Sequence, residues 1–370
     1  MSPSSWKVRV PSTRDSAGGL FGGHNLRDMN AKIAMNATNT YTAIRPLRRP
    51  EGPPSAADFT FVTGTIPALE DGQVLVENLL LSVDPYMREY LEWGGWERGL
   101  GLEGRALGRV TASRDPQFPV GTLVFHRQGW TTHAVLGTQD ARRALIPADG
   151  VPLSAYLGIL GGTGLTAYVG LTRVARLQPG EDLFVSSAAG AVGGAVGQIA
   201  RVLGARHIVG SAGSAGKVAR LTERLGFDAG IDYRAGDLTE QLAKAAPEGI
   251  DVYFDNVGAD HLEAAIDALR DFGRIAWCGA INQYNSLRTP PAAPRNLYDI
   301  VGKRIRLEGF LVRDHLDARE EMEDLLVPHI RSGRLIVDET VIEGFDTMVD
   351  AFVGMLRGDH VGKVLVRAAD

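Results

Sequence analysis

From Gly161 onward, apolar runs of strand length alternate with stretches of helical periodicity, and this alternation narrows the fold more than any other feature of the chain. Residues 183–187 read as a strand. A helix over 191–203 follows, with Val192, Val196, Ile199 and Leu203 at helical spacing. Residues 207–211, 230–233, 251–255, 274–279 and 306–312 read as further strands. Helices are expected over 215–225 and around Leu262, Ile266 and Leu269. Strands alternating with helices give a parallel sheet covered on both faces, and right-handed crossovers make it a doubly wound α/β (Rossmann) sheet. A chain of 370 residues exceeds one ordinary core. The stretch before the alternation, 40–160, holds short apolar runs (73–76, 106–111, 122–125) cut by Gly and Pro, the texture of a β-barrel or sandwich. After Val312 a charged helix over 317–332, a strand over 335–342, a helix over 347–356 and a last strand at 363–366 are expected.

The first strand of the alternating part runs into Ser186-Ser187-Ala188-Ala189-Gly190-Ala191-Val192-Gly193, the glycine-rich turn of a dinucleotide fold with Ala188 in place of the first glycine. Small residues are needed here because the chain turns sharply and its backbone must approach a pyrophosphate. The helix amino terminus then offers free N–H groups and the positive end of its dipole. The second strand ends in Gly210-Ser211-Ala212-Gly213-Ser214-Ala215-Gly216-Lys217, with no acid to hold the adenosine ribose hydroxyls. A carboxylate would repel a 2′-phosphate, whereas the Lys217 ammonium attracts it. A hydrogen bond to a charged group contributes about 1.5–3 kcal/mol, so the expected cofactor is NADP(H).

Composition removes other classes. The net charge of −5 argues against a nucleic-acid partner. The single cysteine, Cys278, allows no intrachain disulfide and no zinc site built on two cysteines, which points to a reducing, cytoplasmic compartment. The longest weakly polar stretch, 188–200, is too short to span a bilayer and runs into Arg201, so no membrane association is expected. Residues 1–34 carry no apolar run of signal-peptide type and read as a disordered or non-native extension.

Several further segments stand in order over residues 40–366. They are Val83-Asp84-Pro85-Tyr86-Met87-Arg88, Gly164-Leu165-Thr166-Ala167-Tyr168, Asp255-Asn256-Val257-Gly258, Cys278-Gly279-Ala280-Ile281-Asn282-Gln283-Tyr284-Asn285 and Gly358-Asp359-His360-Val361-Gly362-Lys363. With the phosphate loop, they make the chain resemble the medium-chain dehydrogenase/reductase superfamily. Within it, the chain is similar to the zinc-free branch of prostaglandin reductases, leukotriene hydroxydehydrogenases and NADP-dependent alkenal double-bond reductases. The resemblance implies a GroES-like β-barrel catalytic domain (35–160 plus 339–370) with the Rossmann domain (161–338) inserted in it. It also implies a homodimer. The pyrophosphate would lie against Gly190, Ala191, Val192, Gly193 and Gly194, and the adenosine phosphate end would meet Gly213, Ser214, Lys217 and Tyr233. Ribose and nicotinamide would be lined by Asn256, Val257, Cys278, Gly279, Ala280, Ile281, Tyr284, Phe310, Leu311 and Val312, with Thr166 approaching the ring. Two positions depart from the family: Gly162, where a methionine is frequent, and His360, where an asparagine is. The first opens space beside the nicotinamide; the second bears on the carboxyl-terminal cofactor contact.

No metal is expected. Where zinc-dependent relatives carry Gly-His-Glu, this chain reads Gly101-Leu102-Glu103, and leucine cannot bind a metal. The resemblance implies reduction of an alkene conjugated to a carbonyl, with a small α,β-unsaturated carbonyl compound as partner. Hydride goes to the β carbon, and a donor at the carbonyl oxygen stabilises the developing enolate. Tyr284 is the expected donor, together with the ribose hydroxyl, and Tyr86 is a second catalytic candidate that orients substrate. The loop at 289–294 and the Trp93–Trp96 region are expected to shape the pocket. Alternatives are quinone reduction and a non-catalytic dinucleotide-binding protein. His126 and His133 read as structural, Asp84 and Arg88 as braces for the loop that carries Tyr86, and Cys278 as a backbone contact without nucleophilic chemistry.

Overall fold

Along the strand Asp182–Val185, Leu183 and Val185 pack into one apolar cluster and Phe184 into another, so successive side chains serve opposite faces of a sheet buried on both sides. The neighbouring strand does the same, with Val252 and Phe254 on one face and Tyr253 on the other. This is seen in a computed structural model that describes residues 39–286, 289 and 291–369. The expected extension, 1–34, lies outside the described residues. The parallel sheet has six strands in the order Ala229–Asp232, His207–Ala212, Asp182–Val185, Ile250–Asp255, Leu269–Trp277 and Arg306–Gly309. The chain starts in the middle and grows outward first one way and then the other. The reversal falls between Asp182–Val185 and Ile250–Asp255, and a crevice opens there beyond the carboxyl ends of the strands.

A second sheet holds Glu339–Glu343, Lys363–Arg367, Val74–Ser82, Ala106–Ser113, Leu123–His126 and Arg143–Ala144 in that order, with His133–Leu136 beside Val74–Ser82. The last strand of the chain therefore returns to the first half, Leu365 opposite Ser82 and Arg367 opposite Leu80. The core on this side is aromatic: Trp96 and Trp130 pack edge to face with centroids 4.8 Å apart, and Phe352 lies 5.4 Å from Trp130.

Several boundaries differ from the sequence reading. The strand expected over 335–342 is Glu339–Glu343, because Leu335 is buried in the apolar cluster instead of entering the sheet. The sixth strand stops at Gly309, and Phe310, Leu311 and Val312 turn out toward the crevice. The charged helix begins as a 3-10 segment, Val312–Ala318, and becomes α-helical only over Arg319–Arg331. Among the described residues three α-helices are additional, Met87–Trp93, Gly162–Val169 and Leu238–Ala245.

Candidate active site

The crevice is a cleft of about 1730 Å³ lined by both sheets' connecting segments. Its floor is the phosphate loop. Gly190 caps the helix Ala191–Val202 without a side-chain hydrogen bond, which leaves the first-turn N–H groups facing the cleft. Gly193 can be nothing larger: a Cβ there would stand 2.4 Å from the Ser187 carbonyl oxygen and 2.7 Å from Ala188 Cα. Ser186 ties the loop to the Asp255-Asn256-Val257-Gly258 turn. Its hydroxyl accepts from the Asn256 backbone N–H at 2.9 Å, and its carbonyl accepts from Asn256 Nδ2 at 2.8 Å. Asp255 Oδ1 in turn accepts the Val257 and Gly258 N–H groups, each at 2.8 Å. Gly362 donates its N–H to the Ala189 carbonyl at 2.9 Å and so fastens the chain's last strand to the loop.

At the far end, Gly213, Ser214, Lys217 and Tyr233 line the cleft. The Ser214 hydroxyl caps its helix by accepting from the Lys217 N–H at 3.4 Å. The Lys217 ammonium donates to the Gly358 carbonyl at 2.5 Å. Burial and the nearby Arg234 guanidinium hold the Lys217 amine below its ordinary range. Arg234 also lies 5.5 Å above the Tyr233 ring, and sequence reasoning missed it. Two cations, a hydroxyl and a tight phosphate loop at the two ends of one crevice fit a phosphorylated dinucleotide.

Between these ends, Thr166, Asn256, Val257, Cys278, Gly279, Ile281, Tyr284, Phe310, Leu311, Val312 and His360 all line the cleft. Gly194 and Ala280 do not. Gly194 sits on the helix side that faces Leu225 and Asp338, and Ala280 packs toward Gly258. Burial raises the Tyr284 hydroxyl above its ordinary pKa, with the Glu89 carboxylate adding to the effect, so it is an O–H donor at neutral pH. Tyr86 also lines the cleft. Its buried hydroxyl has no partner among the described residues, and burial pushes its pKa well up. Burial pushes the Cys278 thiol up to about 12, which keeps it an unreactive thiol. His126 is locked between Asn78 Oδ1 at 2.8 Å and the Gln128 N–H at 3.1 Å, and burial takes its pKa down to about 3. Arg88 donates to the Gly52 carbonyl at 3.1 Å, away from any reacting centre.

The pocket-shaping expectation for the tryptophans is corrected. Trp96 is buried in the aromatic core and Trp93 is exposed at the surface; neither lines the cleft. In the 289–294 loop, Pro290 lies outside the described residues and the others do not line the cleft. Among the described residues, no three His, Cys, Asp or Glu side chains converge as a metal site, and Leu102 is fully buried in an apolar cluster. Three cleft residues that carry much of its charge, Arg105, Arg319 and Lys363, escaped sequence reasoning.

Residues 43–143 match a family model described as the N-terminal domain of oxidoreductase, and residues 191–330 match the zinc-binding dehydrogenase model. Prostaglandin reductase 1 of Bos taurus is 42% identical over 86% of this chain and 96% of its own. The NADP(+)-dependent 2-alkenal reductase of Nicotiana tabacum is 40% identical over 79% of this chain and 86% of its own. The crystal structure of CurA from Vibrio vulnificus in complex with NADPH superposes with a TM-score of 0.82 at 32% identity, covering 89% of this chain and 99% of that one. The chain belongs to the medium-chain dehydrogenase/reductase family, in its zinc-free reductase branch, with a GroES-like and a Rossmann part. Its cofactor is NADP(H).

Proposed function

We propose that this chain reduces the carbon–carbon double bond of α,β-unsaturated aldehydes and ketones. One observation carries the reading: a phenol, Tyr284, kept protonated by its surroundings, opens on the cleft beside Gly279 with its hydroxyl 3.2 Å from where a Cβ on that glycine would be. NADPH supplies the hydride when bound. Gly190, Ala191, Val192 and Gly193 hold the pyrophosphate. Lys217 and Arg234 select the 2′-phosphate, while Gly213, Ser214 and Tyr233 shape its seat. Asn256, Val257, Cys278, Gly279 and Ile281 form the wall for ribose and nicotinamide, and Thr166, Phe310, Leu311 and Val312 close it. Tyr284 donates its hydroxyl hydrogen bond to the carbonyl oxygen, where charge grows in the transition state more than in the ground state. Tyr86 orients the substrate from the opposite wall. The α-carbon proton then comes from solvent or a hydroxyl, and no metal is needed to polarise the carbonyl.

The test follows NADPH absorbance with an enone, a quinone and the matching saturated ketone. Oxidation of NADPH with the enone and none with the saturated ketone is expected. Turnover of the quinone alone would make the chain a quinone reductase, and NADPH binding without any turnover would make it a non-catalytic binder.

A further inference from the structure

Ser211, the last residue but one of the strand His207–Ala212, makes contacts in two directions. Its carbonyl accepts the Ala188 N–H at 2.8 Å, which ties the strand to the loop that meets the pyrophosphate. Its hydroxyl shares a hydrogen bond with His261 Nε2 at 3.0 Å. Both side chains are buried. His261 comes from the first turn of the helix Ala259–Ala268, which follows the strand Ile250–Asp255, so the bond joins two separate strand–helix units.

A buried histidine ordinarily serves the core, but this one also lines the cleft and backs Tyr233. The two rings meet with centroids 5.1 Å apart and planes 71° apart, the edge-on packing that aromatic pairs favour. Tyr233 depends on such support. It is 37% exposed, and among the described residues no hydrogen bond holds its hydroxyl. The hydroxyl nevertheless lies over Gly213, 2.9 Å from where a Cβ on that glycine would stand. Ring packing therefore places the phenol, with His261 on its edge and the Arg234 guanidinium 5.5 Å from its centroid. Burial, offset in part by the Asp260 carboxylate, takes the His261 imidazole down to about 4, so it is uncharged at neutral pH. It cannot attract a phosphate as Lys217 and Arg234 do; what it supplies is position. Contacts thus run from Ala188 through Ser211 and His261 to Tyr233, from the pyrophosphate end of the coenzyme site to its 2′-phosphate end.

We propose that Ser211 and His261 are positioning residues for the coenzyme: they hold Tyr233 in register with the phosphate loop and so sharpen the choice of NADPH over NADH. The inference rests on the placement of Tyr233 at the 2′-phosphate and is independent of which substrate is reduced.

The experiment measures the Kd of NADPH and of NADH by calorimetry for the full chain and its variants. His261→Ala is expected to weaken NADPH binding about two- to tenfold, the range of one edge-on aromatic contact, and to leave NADH within about twofold. His261→Phe keeps a ring behind Tyr233 and restores part of the loss. Ser211→Ala removes a single oxygen and is expected to lower the preference for NADPH in the same direction, by about two- to tenfold. It carries the test if the cavity left by His261→Ala unfolds the chain. In a Tyr233→Ala background, His261→Ala is expected to cost nothing further, because it acts through that ring. Equal weakening of NADPH and NADH would overturn the inference and leave His261 a residue of the core. So would a double variant that loses the sum of both single effects. Tyr233→Ala with the wild-type preference would remove Tyr233 from the 2′-phosphate seat, and the inference with it.

Discussion

At the scale of single residues, the site depends on which polar groups keep their protons and which keep their charges. Tyr284 must remain a phenol to donate, and burial keeps it one. Losing one oxyanion donor costs about 2.7–4 kcal/mol, so Tyr284→Phe is expected to lower kcat by about 10²–10³ with the Kd for NADPH unchanged. Stopped-flow measurement of hydride transfer checks this, and an unchanged rate removes the phenol from the chemistry. Lys217 acts through charge. Lys217→Ala is expected to weaken NADPH binding about ten- to a hundredfold in calorimetry and to leave NADH binding nearly unchanged. Arg234, close enough to depress the Lys217 amine, makes the loss partial, and removing both cations should abolish the preference between the two coenzymes. Lys217 was legible in the sequence because it follows the second strand in a stretch with no acid. Arg105 and Lys363 were not, because their place at the cleft depends on a contact that joins Lys363 to Asp84 across 279 residues of chain.

Whole elements were legible where both faces of a strand are buried and illegible where packing, not pattern, decides. All six parallel strands were found, the central ones, such as Asp182–Val185 and Ile250–Asp255, as short apolar runs, and the edge strands Ala229–Asp232 and Arg306–Gly309 from their place in the alternation. The helix Gly162–Val169 escaped because its sequence, GTGLTAYV, holds two glycines and no clear apolar stripe; it is helical because nearly every residue is buried among neighbours. The phosphate loop is the element where sequence and geometry agree most closely. Its glycine at 193 faces backbone atoms that cannot move aside. Gly193→Ala is therefore expected to shift the loop, lower the melting temperature in the manner of a 1–3 kcal/mol overpacking penalty (about that range), and weaken NADPH binding more than tenfold. Calorimetry on the variant reads both. Native NADPH affinity would mean that the loop tolerates a methyl group and that the close approach is not needed for binding.

At the scale of the whole molecule, Asp84 links segments that are far apart in the chain. It accepts from the Ser82 hydroxyl at 2.5 Å, faces Arg105 at 3.3 Å and meets Lys363 on the chain's last strand at 3.1 Å, while the Lys363 ammonium also donates to the Val83 carbonyl at 2.6 Å. Burial alone would raise the Asp84 pKa, but Lys363 and Arg105 outweigh it and lower the value from 3.8 to about 2. A carboxyl whose pKa is depressed by folding contributes stability that is fully present above the unfolded value and is lost as the pH falls through the folded one. For Asp84 the window runs from just above pH 4 down to about 2, and the contribution is about 2 kcal/mol. Asp84→Asn leaves Lys363 and Arg105 buried without their anion and is expected to cost about 3–5 kcal/mol at pH 7. As the pH falls from 4 toward the folded pKa of about 2, the wild-type carboxyl takes up its own proton, and the gap between the two unfolding curves should close by about 1 kcal/mol by pH 3, about half of the full contribution. Denaturant titrations at pH 7, 5, 4 and 3 measure this. Curves that stay parallel down to pH 3 would show that the charge on Asp84 does not hold the last strand to the catalytic sheet, and that its hydrogen bonds alone do so.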